Sequence, residues 1–94
     1  METVRFFKAL ADENRQMILR ILREVDEMSV NDLCERLADL AQPTVSHHLQ
    51  VLRECRLVEA RKVGKHVFYQ LNRVTFHAAG NALYMEWRIE QGRI

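Results

Sequence analysis

Proline and glycine are scarce in this 94-residue chain, one Pro and three Gly, which excludes a linker-rich or collagen-like architecture. With 48% apolar and 29% charged residues, the remainder reads as a folded and mainly helical domain. Long hydrophobic runs are missing too. The longest stretches without a formal charge, Leu40 to Leu52 and Val74 to Met85, hold 13 and 12 residues. A membrane span needs roughly 18. The first residues also lack the basic-then-apolar layout of a signal peptide, so the expected location is cytoplasmic, with no membrane partner. Two cysteines, Cys34 and Cys55, form neither a CxxC pair nor an even framework, so free thiols are expected rather than a structural disulfide. Catalytic furniture is absent as well: no glycine-rich phosphate loop, no paired carboxylates, no nucleophile spaced from an orienting base. The length sets a ceiling of one domain, residues 1–94, and an enzyme is not expected.

What is present is an uneven charge distribution beneath a net charge of only +1. Residues 1–40 carry a net −3, residues 41–73 a net +4, and residues 74–94 balance. A basic middle third on an acidic or neutral body suits a surface that meets an anionic partner.

Periodicity organises the chain. Residues 3–10 read as a short apolar helix, and Asp12 can cap a second through Met17, Ile18, Ile21, Leu22 and Val25. Ser29 opens a third, with Val30, Leu33, Cys34, Leu37 and Ala41 on one face. A tight turn leads to a fourth that tolerates Pro43 in its first turn and buries Val45, Leu49 and Leu52. At Val58 the period changes to two. Val58–Val63, the turn Gly64-Lys65 and His66–Leu71 form one hairpin, with Arg61, Lys62, Lys65 and His66 gathered at its tip. From Asn72 a last helix runs to about Gln91 with two apolar faces, Val74, Ala78, Ala82, Met85 and Ile89 on one side and Phe76, Leu83 and Trp87 roughly opposite. One face can cover its own domain and the other calls for a second chain. The fold class is therefore mainly α with one β-hairpin: about five helices and a two-stranded wing, the layout of a winged helix-turn-helix.

Three segments carry a resemblance: Phe7-Lys-Ala-Leu-Ala-Asp-Glu-Asn-Arg15, Gln42-Pro-Thr-Val-Ser-His-His-Leu-Gln-Val-Leu-Arg-Glu54, and the hairpin Leu57 to Leu71. In this order and spacing they resemble the ArsR/SmtB family of bacterial repressors over nearly the whole chain. The resemblance implies a homodimeric repressor that binds an inverted-repeat operator in double-stranded DNA. It also implies dimerisation through the first and last helices, here with Val4, Phe7, Leu83 and Trp87 as candidates, and release of DNA when an inducer binds.

On a wheel of about 100° per residue with Val45 at zero, Leu49 and Leu52 fall within about 40° of it, so Pro43, His47, Gln50 and Glu54 face outwards. Side chains near a helix N-terminus can reach base edges while hydroxyls and amides bind phosphate. Gln42, Thr44, Ser46, His47 and Gln50 are therefore the candidate reading set, and Arg61, Lys62 and Lys65 the candidate phosphate contacts of the wing. His48 lies at the edge of the buried stripe and reads as a packed, hydrogen-bonded residue. Glu54, at the far end of the helix, is not expected to touch DNA.

The inducer site departs from the resemblance. Arsenic and cadmium sensors of the family carry Cys-Val-Cys at the start of the third helix, where this chain has Ser29-Val30-Asn31, and Cys34 matches only an outlying cysteine of some arsenic sensors. At the four ligand positions that zinc and cobalt sensors use in the last helix stand Thr75, His77, Arg88 and Gln91. The expectation is no metal and no cofactor. That leaves the thiols: Cys34 reads as a core residue, and Cys55, between Arg53 and Arg56, as the more reactive one. A thiol-based redox repressor is one alternative reading, and a winged interaction module without DNA binding another.

Overall fold

A computed structural model describes residues 2–90, and the side chains of residues 4–81. Five helices and three short strands follow in the order α1 Glu2–Leu10, α2 Glu13–Arg23, β1 Met28–Ser29, α3 Val30–Arg36, α4 Gln42–Glu54, β2 Val58–Val63, β3 His66–Leu71 and α5 Arg73–Glu90.

The boundaries follow from local chemistry. Asp12 caps α2 by accepting hydrogen bonds from the backbone N–H groups of Asn14, at 2.8 Å, and Arg15, at 3.0 Å. Those bonds favour its ionised form, and its pKa lies below the ordinary 3.8, with the Arg15 amide the largest cause. The carbonyls that α1 leaves open at its C-terminus are taken by α2 side chains: Arg15 donates to Ala9 and Lys8, and Gln16 to Leu10. Ser29 caps α3 through a bond from the Asp32 amide at 3.0 Å. Asn72 caps α5, accepting from the Thr75 amide at 3.1 Å.

Two helices end earlier than their apolar stripes suggest. The second stops at Arg23 rather than Val25, where Glu24 donates its amide back to the Ile21 carbonyl. Asp26 and Glu27 then lead into β1. The third stops at Arg36, and Ala41, placed on its face by periodicity, is instead the extended N-cap residue of α4. Apolar period alone cannot mark a helix end when a turn of compatible length brings the next apolar residue to the same core.

At the C-terminus of α4 the chain turns sharply. Leu57 donates to the Leu52 carbonyl at 2.9 Å and Arg56 to that of Arg53 at 2.9 Å, a Schellman-type closure that drives Arg56 to φ 62°. Gly64 takes φ 59° in the hairpin turn, where lack of a side chain makes that conformation free of cost.

The hairpin has the expected strands, paired Val58 to Leu71 through Val63 to His66. The sheet, however, has three strands rather than two, in the order β1-β3-β2. Met28 pairs with Tyr69 and Ser29 with Phe68. Two residues are too short a run to show a period of two, so β1 leaves no pattern in the sequence.

One core unites the elements. Ile18 and Leu22 of α2, Leu33 of α3, Val45, Leu49 and Leu52 of α4, and Leu57 and Val58 beyond it are fully buried in a single cluster. Truncating any of the large ones to Ala should cost roughly 2–5 kcal/mol. In α5 it is Phe76 and Ala79 that face this core, while Val74 is 83% exposed. The first turns thus cover the domain with the stripe that carries Phe76. The side chains of Leu83 and Trp87 lie outside the described residues. In α1, Val4 is exposed and Phe7 half-buried outside the core cluster.

Candidate nucleic-acid interface

Burial of Val45, Leu49 and Leu52 fixes the rotation of α4 and turns Gln42, Thr44, Ser46, His47 and Gln50 to solvent together. All five candidate readers are exposed. Ala41, at the N-cap, offers no side-chain acceptor to the first turn, so the positive end of the helix stays open towards an anion. Gln50 shares its amide with Glu54, donating to Oε2 at 3.2 Å, so the acid at the end of the helix steers this reader.

Between the start of α4 and the wing runs a polar groove of about 310 Å³, lined among others by Ser29, Asn31, Gln42, Ser46, Lys65 and His66. Lys62 and Lys65 are exposed, and no hydrogen bond or ion pair engages the side chain of either within the described residues. Arg61 stands differently. Its Nε donates to Glu27 Oε2 at 3.3 Å, its Nη2 bonds Glu27 Oε1, and its guanidinium lies 5.4 Å from the centre of the Phe68 ring. The hairpin register dictates the stack, since Arg61 is directly opposite Phe68. Glu27 escaped the sequence reading because it is brought to the wing by β1.

His48 is buried, as its place on the wheel predicts, but its Nδ1 has no hydrogen-bond partner among the described residues. Burial lowers its pKa below the ordinary 6.5; Asp12 opposes the shift, and Arg15 and His47 reinforce it. The two thiols exchange the environments expected of them. Cys55, the C-cap residue of α4, is 4% exposed and its S–H donates to the Arg5 carbonyl at 3.7 Å, whereas Cys34 is half-buried. The neighbouring arginines do not expose Cys55, because its position at the helix end is covered by α1. Ser29 is buried, Asn31 and His77 are exposed and Thr75 is half-buried, while the side chain of Arg88 and the whole of Gln91 lie outside the described residues. No group of three or more His, Cys, Asp or Glu that could hold a metal ion occurs among the described residues.

A helix-turn-helix whose second helix presents a polar face beside a basic hairpin defines the class: a winged-helix DNA-binding regulator. Residues 12–60 match the model of the bacterial regulatory protein arsR family. Over 97% of this chain and 77% of its own length, the arsenical resistance operon repressor of Escherichia coli is 42% identical. HlyU of Vibrio cholerae superposes with a TM-score of 0.70 at 40% identity, covering 81% of this chain and 83% of that one. An ArsR-like regulator of a Rhodococcus species gives 0.77 at 30% identity over 97% and 87%. The chain belongs to the arsR family and is a DNA-binding transcriptional regulator, not an enzyme. No described helix is long and apolar enough to cross a membrane.

Proposed function

We propose that this protein is a cytoplasmic, homodimeric repressor that reads an inverted-repeat operator with α4 and grips the flanking phosphates with the wing. The observation that carries the reading is the joint exposure of Gln42, Thr44, Ser46, His47 and Gln50 beside a groove that also holds Lys65. Base edges in the major groove specify, and phosphate contacts position. Lys62 and Lys65 are the ready phosphate contacts, with Arg61 joining them once it leaves Glu27. Exposed Val4 and Val74 support pairing of α1 and α5 with those of a second copy, with Phe7 as a further candidate at that seam and Leu83 and Trp87, on the opposite stripe of α5, as the alternative contact. Half-site centres should then lie about one helical turn, roughly 34–36 Å, apart.

Alanine at Gln42, His47 or Gln50 should each cost roughly 1–3 kcal/mol on the preferred site and relax the preference. Alanine at Lys62 or Lys65 should weaken every sequence alike and lower the salt slope by about 0.9 per lost contact. Equal effects on specific and random DNA for all five variants would sink the division of labour.

The half-burial of Cys34 favours a second reading, a repressor modulated by thiol oxidation. A peroxide would oxidise the more accessible Cys34 thiol to a sulfenic acid with release of water, before reaching Cys55. Loss of the peroxide response in Cys34→Ser, but not in Cys55→Ser, tests it.

A further inference from the structure

Away from the DNA-facing side, a cavity of about 290 Å³ opens between the end of α1, the outer face of α2 and the middle of α5. Leu10, Leu19 and Phe76 give it apolar walls. The one neutral polar side chain among them, Gln16, is already committed, its amide donating to the Leu10 carbonyl at 2.5 Å. On the rim stand two guanidiniums. Arg23 is engaged only loosely by Glu24, at 3.4 Å, and Arg20, exposed on the next turn, has no acceptor among the described residues.

The α5 side of the cavity is Gly80, and no described residue accounts for this glycine. A Cβ built there would meet no atom within 4 Å among the described residues, so no described neighbour requires its absence. Within a helix, glycine costs about 1 kcal/mol relative to alanine. What the missing side chain does provide is room in the cavity.

From the apolar walls, the paired rim charges and that vacant helix face, we infer that this cavity is a binding site for a small amphipathic anion. The ligand is a short hydrocarbon or ring bearing one carboxylate or sulfonate. Its apolar body lies against Leu10, Leu19, Phe76 and Gly80, and its anionic head meets Arg20, with Arg23 available once it turns from Glu24. The volume stands at the small end of the range for ligand sites, which restricts the body to about the size of a medium-chain acid. The inference is independent of which bases α4 reads, because the site shares no residue with that face.

Titrating octanoate, and octanol as the uncharged control, into the ¹⁵N-labelled full chain tests it. Octanoate should saturably shift the amides of Leu19 and Gly80 and bind about fivefold more tightly than octanol, the scale of one exposed ion pair. Arg20→Gln should erase that difference while leaving octanol binding unchanged. Gly80→Leu should block both ligands without unfolding the helix, since the cavity accepts the added atoms and leucine favours helix. Absence of saturable shifts at Gly80, equal affinity for the two probes, or octanoate binding that survives Gly80→Leu would overturn the assignment. So would shifts at these amides that follow protein concentration instead of ligand, which would make a second copy the occupant. If Gly80→Leu fails to fold, the octanoate-to-octanol ratio in Arg20→Gln still decides.

Discussion

Replacing Glu27 by Gln should make this regulator bind DNA more tightly and with steeper salt dependence, although Glu27 itself would be a repulsive neighbour of any phosphate. In the free protein Arg61 is held by both carboxylate oxygens of Glu27 and lies over Phe68. A phosphate must compete for that guanidinium. Arg61 is 59% and Glu27 33% exposed, so solvent screening keeps the pair weak. Removing the carboxylate ends that competition and should raise DNA affinity by up to about fivefold per wing, the ceiling for an exposed pair. Each guanidinium that meets a phosphate only once Glu27 is gone adds about 0.9 to the magnitude of the log–log salt slope, so a dimer with two wings should gain up to about 1.8. Fluorescence anisotropy across a salt series, on operator and on random duplex, measures both quantities. The gain should be the same for both DNAs, because phosphate carries no sequence information. It should lose its slope component in an Arg61→Gln background. An unchanged slope in Glu27→Gln, or an equal gain without Arg61, would show that the pair does not withhold the arginine.

Arg56 occupies the left-handed region at φ 62°, which costs a residue with a Cβ about 1–2 kcal/mol. Arg56→Gly recovers that but gives back about 0.5–1 kcal/mol in unfolded-chain entropy, so a net gain near 0.5 kcal/mol is expected as a higher urea midpoint with unchanged m-value. Arg56→Ala, which keeps the strain, should gain nothing. His48 has its pKa lowered in the fold, chiefly by burial, so its contribution is fully present above the ordinary 6.5 and is lost as pH falls below that value through the folded pKa. Thermal unfolding should fall between about pH 7.5 and about pH 5.5 by more in the unmodified chain than in His48→Gln, and equal falls would remove His48 as the cause. Asp12, also lowered, contributes stability above about 3.8 that disappears in stronger acid, a separate window. Zinc, cadmium and arsenite at stoichiometric levels should leave the reduced protein on its operator, since Ser29, Asn31 and Thr75 supply no strong donors where thiolates or carboxylates would be needed. Release reversed by a chelator or dithiol would reveal a metal site built from other ligands.

The sequence made most of this legible where a residue's role is local. The caps at Asp12, Ser29 and Asn72, the two-residue turn at Gly64-Lys65 and the rotation of α4 all follow from spacing and side-chain chemistry within a few residues. What it withheld is contact between segments far apart in the chain. Glu27 reaches Arg61 only because β1 joins the sheet, and Cys55 is covered by α1 some fifty residues earlier. The face of α5 that meets the core was ambiguous for a different reason: both of its stripes are apolar, so periodicity gives two answers and only packing of Phe76 and Ala79 selects one.

Ser29 belongs to two machines at once. As the last residue of β1 it is stitched to Phe68 in the wing, and as the cap of α3 it anchors the helix that supports the reader α4. The wing and the helix-turn-helix are therefore not two fingers that adjust separately on DNA but the jaws of one tool, sharing a rivet. A disturbance at the start of α3 of about an ångström would change the gap between the jaws, and so the width of backbone they could straddle, without altering any of the candidate contact residues.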